Sequence, residues 1–228
     1  EINSTCLICS LRFHAAMMKL FSLLFVMLQV AVSAQTAVDT KPLHVWLKKQ
    51  QNIQSIQATF TQSRTLPSLR KPISTTGQLT MQKPNRFRWE LGNPTSSMAV
   101  SDGTTTYLLD VAKLRARKIP VDDPASKPFS LMASQAFENK DQFHQTFHIQ
   151  QQTVVDEVFQ YTLILRDAAA AKHLREVILS ISRAGEIKAM ELVLSDRSRI
   201  KTTMNVVKLN APIAKDAFTP NLQGFKVR

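Results

Sequence analysis

Glycine and cysteine are scarce in this chain of 228 residues, with five glycines and two cysteines. So few glycines leave little material for phosphate-cradling loops. Neither Gly-x-Gly-x-x-Gly nor Gly-x-x-x-x-Gly-Lys-Ser/Thr occurs, which sets nucleotide and dinucleotide enzymes aside. A Gly-x-Ser-x-Gly nucleophile elbow is also missing. The one close histidine pair, His144 and His148, lacks the adjacent glutamate of the metalloprotease signature and reads as surface histidines that would share one face of a strand. The neighbours Asp122 and Asp123, like Asp156 and Glu157, would diverge on any strand and read as solvated loop charges. No nucleophile, base and orienter can be assembled, so an exported hydrolase is a remote reading. The chain is expected to be no enzyme and to use no cofactor or metal.

Long apolar runs are equally rare. The clearest follows Met17-Met18-Lys19: Leu20 to Val32, broken only by Ser22 and Gln29 and closed by Ser33-Ala34 before Gln35. At about 13 residues it is shorter than a membrane-spanning helix and has the layout of a secretory signal. Residues 1–34 are therefore expected to comprise upstream residues and a cleaved signal, with cleavage after Ala34, leaving 35–228 as one domain in the periplasm. Cys6 and Cys9 both fall in the removed part. The exported form then has no disulfide, no thiol chemistry and no lipidation site.

What is abundant is positive charge. Lys and Arg total 29 against 17 Asp and Glu, a formal charge of +12, or +11 once residues 1–34 are removed. Such an excess favours acidic partners, and export makes an anionic membrane surface a better match than nucleic acid.

Pro42, followed by Leu43, Trp46, Leu47 and Ile53, predicts one short amphipathic helix over 42–53. Thereafter the apolar period changes to two. Strands are predicted at 55–65, 73–83, 85–92, 96–101, 104–110, 113–119, 143–152, 157–167, 174–183, 186–195 and 199–209, with Asp102-Gly103 and Ala184-Gly185 as the best hairpin turns. Short connections imply antiparallel pairing, and a sheet this wide should curl. The expected fold is mainly β with short helices, a single curved antiparallel sheet. An apolar segment at Phe129, Leu131, Met132 and Ala133, bracketed by prolines, interrupts the strands and could plug or cover the concave face.

On the strand over 85–92, Phe87, Trp89 and Leu91 share one face, and Arg86, Arg88 and Glu90 the other. The aromatic face suits either a filled barrel core or an open apolar pocket for a greasy ligand. Nucleic-acid binding fits poorly, because the arginines point away from the rings.

An ordered set of motifs resembles a known family. Phe60-Thr61-Gln62 precedes Gly77-Gln78-Leu79, then Lys83-Pro84-Asn85-Arg86-Phe87-Arg88-Trp89-Glu90, Pro94 and Val100-Ser101-Asp102-Gly103 leading to Tyr107 and Asp110. Pro128-Phe129-Ser130-Leu131 and Phe218-Thr219-Pro220 with Gly224 and Val227 complete it. The set, over about 40–228, resembles the periplasmic outer-membrane lipoprotein carrier proteins, the LolA-like family. That resemblance implies an incomplete, half-open barrel covered by a helical lid. It also implies a carrier that shields acyl chains of lipoproteins, or related lipids, between an inner-membrane lipoprotein-releasing ABC transporter and an outer-membrane acceptor. No nucleic acid partner is implied, and a monomer is expected.

By the same resemblance the acyl site would comprise Phe60, Phe87, Trp89, Leu91, Met98, Phe129, Leu131 and Met132, the last three of these from the lid. Lys83 stands where the family carries a lid-latching basic residue, typically arginine. A lysine lacks the planar multi-donor fork, so its latching should differ. The extra C-terminal strand and loop of some carriers is not expected after Phe218-Thr219-Pro220. A LolA-like sensor or interaction module of the cell envelope is the alternative role for the same sheet.

Overall fold

The computed structural model describes residues 38–120, 123, 131 and 135–228; the signal sequence predicted at 1–34 lies outside them. Helix α1, Lys41–Gln50, opens with Pro42 in its first turn and ends on Lys48 and Lys49, whose charges complement the helix dipole. It buries Leu43, Trp46 and Leu47, as their spacing requires, but stops three residues before the predicted end.

Twelve strands follow: β1 Ser55–Thr65, β2 Ile73–Gln82, β3 Arg86–Leu91, β4 Ser97–Asp102, β5 Thr105–Asp110, β6 Arg115–Pro120, β7 Phe147–Val155, β8 Val158–Leu165, β9 Leu174–Ser182, β10 Ile187–Leu194, β11 Arg199–Leu209 and β12 Lys226–Val227. They form one sheet in the order β12-β6-β5-β4-β3-β2-β1-β11-β10-β9-β8-β7. Every pairing is antiparallel except the last, β12 on β6. Among the described residues the sheet does not close: β12 and β7 are its two edges, giving the half-open barrel the resemblance implies.

Register defines the two faces, because directly paired residues point the same way. Phe60 pairs with Gly77 and Gly77 with Leu91, while Ala58, Leu79, Trp89 and Ala99 form the next row. These rows carry the core. One apolar cluster centres on Phe60, Leu79, Met81, Phe87 and Trp89. A second gathers around β8 and β9, with Tyr161, Leu163 and Leu179, beneath α1.

The glycine of the Gly77-Gln78-Leu79 motif now has a physical reason. The Phe60 ring crosses over Gly77 to reach Trp89, ring centroids 4.4 Å apart. A Cβ on Gly77 would meet Phe60 Cζ and the Glu90 carbonyl oxygen well inside contact distance. Because one of those atoms is backbone, the clash cannot be relieved by a rotamer change. Gly77→Ala is expected to lower stability by about 2–3 kcal/mol, read as a fall in the urea midpoint at unchanged slope. An unshifted midpoint would show that Phe60 does not lie across the glycine.

The prediction fails in three places. Residues 143–146, read as strand, belong to helix α2, Lys140–Thr146, and β7 begins only at Phe147. Asn139 caps α2, its side-chain oxygen accepting from Gln142 N at 2.9 Å, and Phe143 and Phe147 meet at helical i, i+4 spacing with ring centroids 5.4 Å apart. A four-residue helix α3, Ala168–Ala171, capped by Asp167, was not expected. Nor was β12, which supplies a short C-terminal strand where none was predicted.

After β11 the chain crosses the outer face of the sheet before reaching β12. Gln57 Nε2 donates to Pro212 O at 2.7 Å, Arg88 Nη1 to Ala217 O at 3.3 Å, and Arg86 lies over the Phe218 ring at 5.8 Å. The arginines of the Arg-Phe-Arg-Trp block thus hold the C-terminal segment to the outside, while the aromatics face inward.

Candidate functional site: an apolar cavity on the inner face

On the inner face of β3 to β6 lies a cavity of about 460 Å³, within the range of small-ligand sites, roughly 300–1,000 Å³. Trp89, Leu91, Ala99 and Leu108 make its floor. All four fall on one face by register: Trp89 pairs with Ala99, Ala99 with Leu108, and Leu91 with Ser97 of the same face. Leu91 and Leu108 are only half-buried, which is what an unfilled floor requires. Arg115, Arg117, Lys226 and Arg228 stand at its β6–β12 side.

A second cavity, of about 360 Å³, lies between the C-terminal end of α1 and strands β1, β2 and β11. Trp46, Ile53, Ile56, Leu79 and Met204 line it. Val207 and Leu209 pair with Ala58 and Ile56 and so point inward, yet they remain 40% and 51% exposed. The inner face is therefore an incompletely filled apolar trough with two packed ends.

The residues named from the sequence divide into distinct groups. Phe60 and Phe87 are fully buried and packed in the core. Trp89, 4% exposed, belongs to both core and cavity. Leu91 lines the cavity. Met98 borders it, but pairing with Glu90 puts its side chain on the face opposite Trp89. Leu131 packs, half-buried, against the cluster that includes Leu43 and Trp46. Phe129 and Met132 lie outside the described residues.

Lys83 Nζ donates to the Gln50 carbonyl at 2.8 Å. It thereby ties β2 to the last turn of α1, supplying a cation to exposed helix carbonyls. Gln50 also lines the second cavity, so Lys83 secures the helix that bounds it. α1 is held at its other end by Tyr161, whose hydroxyl donates to Asp39 O at 2.8 Å. Burial pushes the Tyr161 phenol up to about 12.

Sequence reasoning missed the basic side of the first cavity, since nothing local brings residues 226–228 beside 115–117. It also missed the contact of His44 with His144, ring centroids 6.3 Å apart, where α1 meets α2. His148 is exposed on β7, the surface position expected, but His144 lies on α2, so the two do not share a strand face. Asp156 and Glu157 make the β7–β8 turn with positive φ, and Asp122 lies outside the described residues. Among the described residues no cluster of three metal-ligating side chains occurs, and no helix is long and apolar enough to cross a membrane.

Burial, then the charges of Lys140 and His144, depresses the His44 pKa below its ordinary value. The unfolded chain, with a histidine pKa near 6.5, therefore takes up its proton first as pH falls. The stability contribution is intact above about pH 6.5 and is lost as pH drops through the lower folded value. Melting temperature should decline from about pH 7.5 to about pH 5, with a shallower decline in His44→Asn. Parallel curves for the two proteins would remove His44 as a cause.

Comparison with known proteins gives a consistent family. The family model described as "Outer membrane lipoprotein carrier protein LolA" matches residues 51–221. An outer-membrane lipoprotein carrier protein of Leptothrix cholodnii is 36% identical over 89 residues, covering 39% of this chain and 42% of that protein. The protein of the same description from Cronobacter sakazakii is 27% identical over 170 residues, covering 74% of this chain and 78% of its own. A LolA superfamily protein structure from Nitrosomonas europaea aligns with TM-score 0.39 at 11% identity, over 77% of this chain and 96% of that one.

Proposed function

Because the chain belongs to the outer membrane lipoprotein carrier protein family, LolA, we propose that it binds the acyl chains of lipoproteins on its inner face and carries them through the periplasm from the inner to the outer membrane. The observation that carries this reading is the open apolar floor of Trp89, Leu91, Ala99 and Leu108 on a sheet that does not close. An inner-membrane lipoprotein-releasing ABC transporter would load the protein and an outer-membrane acceptor would unload it. Phe60 and Phe87 would back the acyl site from the core, Lys83 holds α1, and Leu131, packed against the cluster that includes Leu43 and Trp46, would join Phe129 and Met132 in the cover that the family implies.

Magnitudes fit transfer in preference to permanent capture. Each methylene moved out of water contributes about 0.8 kcal/mol, so about ten of them give about 8 kcal/mol, a micromolar affinity. Fuller burial of several chains would approach the ceiling of non-covalent affinity and prevent release. A trough that shields part of the acyl surface suits a carrier that must both accept and surrender its cargo, and no bond need be made or broken.

The direct test is native mass spectrometry, with lipid extraction, on protein purified from the periplasm of a producing cell. Copurifying acylated protein is the expected result. Protein that arrives empty and also takes up no acylated lipoprotein in vitro would overturn the carrier reading.

A further inference from the structure

The apolar floor of the first cavity is met by a concentration of positive charge that acyl chains alone do not require. β12 pairs in parallel with β6, Lys226 opposite Arg115 and Val227 opposite Ala116. The pairing is pinned by backbone bonds from Lys226 N to Leu114 O at 2.9 Å, Arg228 N to Ala116 O at 2.9 Å and Lys118 N to Arg228 O at 3.0 Å. Arg228 therefore sits opposite Arg117. Arg115 and Arg117 share the inner face with Asp110 and Leu108, so all four cations stand on the cavity side of the sheet edge and line the cavity.

Among the described residues the carboxylates near these cations offset only part of their charge. Asp110 lines the cavity opposite Arg115 in the register and shares its charge with Lys113, bound at 2.9 Å. Asp123 approaches one of the four, Arg117, at 3.8 Å. All four cations are exposed to solvent, and an acyl ester or amide offers no charge to meet them.

Building on the acyl-binding reading, we propose that this cavity selects an anionic amphiphile: an acyl tail lies over Leu91 and Leu108, and a lipid headgroup of net negative charge, its phosphate uncompensated by a cation of its own, sits against Arg115, Arg117, Lys226 and Arg228. Arginine's planar donors match phosphate oxygens in pairs, and Lys226 on β12 and Arg228 just beyond it add charge from the facing edge. Exposed ion pairs contribute modestly one by one, so several acting on one headgroup yield about a tenfold preference.

The test titrates the purified protein with lysophosphatidylglycerol and lysophosphatidylcholine of equal chain length, below their micelle concentrations, following tryptophan fluorescence. The anionic lipid should bind about tenfold tighter at low salt, with the gap closing at high salt. In the Lys226→Gln/Arg228→Gln variant the preference for the anionic lipid should shrink; Arg115→Gln/Arg117→Gln gives an independent arm that leaves Lys226 and Arg228 in place. Equal affinities in the wild-type protein would overturn the headgroup assignment and leave the acyl reading standing. Failure of both lipids to bind would count against the acyl reading itself. Adsorption to anionic vesicles without uptake of either lysolipid would make the charge a membrane-docking feature and overturn the cavity assignment.

Discussion

Phe87→Ala should lower stability by about 3–5 kcal/mol while leaving the acyl affinity of the folded fraction close to that of the parent protein. Phe87 is fully buried. Its neighbours across the sheet are Met81 on β2 and Ser101 on β4, and its cluster includes Phe60 and Leu79. Truncation leaves a void that the fixed strand spacing cannot collapse, so the transfer and cavity costs add. Against a typical net stability of about 5–15 kcal/mol the loss is large. Urea denaturation measures it. A shift below about 1 kcal/mol, or an acyl affinity that falls as far as the stability does, would mean that Phe87 faces the open cavity after all.

This expectation separates two readings that the sequence left together. Period two placed Phe87, Trp89 and Leu91 on one face, and the structure agrees. Period two does not say how far along the strand the core stops and the open trough begins. That boundary runs through β3: Phe87 is core, Trp89 is shared, and Leu91 is floor. It is set by what lies beside it on β4, where Ala99 and Ser97 are too small to fill the space next to Leu91. The filled core and the open pocket are thus both present on one strand, two residues apart.

Strand positions were legible because alternation is local and turns such as Asp102-Gly103 mark their ends. Asp102 accepts from Thr104 N at 2.8 Å and Thr105 N at 2.9 Å, which holds its carboxyl below the usual range and closes the β4–β5 hairpin. The α2 error has an equally local cause. Phe143 and Phe147 satisfy both a helical and an alternating pattern, and the Asn139 cap, which decides between them, carries a weaker sequence signal than the apolar run. Met98 borders the first cavity although its register puts it on the face opposite Trp89. Outward positions on β4 and β5 are apolar too: Met98 pairs with Leu109, and Val100 and Leu109 are buried. Hydrophobicity alone therefore did not tell the inner face from the outer one. The basic side of the cavity depends on pairing between residues more than a hundred positions apart, which no local pattern encodes.

Loss of binding without loss of fold is expected from the opposite kind of substitution, Leu91→Gln combined with Leu108→Gln. Both leucines are half-buried and line the first cavity, so a neutral side chain of similar length fits without opening a void, and solvent satisfies its amide in the empty protein. An acyl chain would have to strip that water. Each carboxamide left without a partner costs about 1–3 kcal/mol, so the pair should weaken acyl binding about a hundredfold. The choice of a neutral residue keeps the change independent of the four cations nearby. Displacement of a fluorescent fatty acid gives the affinity, and thermal melting checks that the fold is kept. If affinity is unchanged, the first cavity does not hold the acyl chain. The trough bounded by α1, β1 and β11 then becomes the site, and Met204→Gln, which sits on the floor of that second cavity, should produce the loss instead.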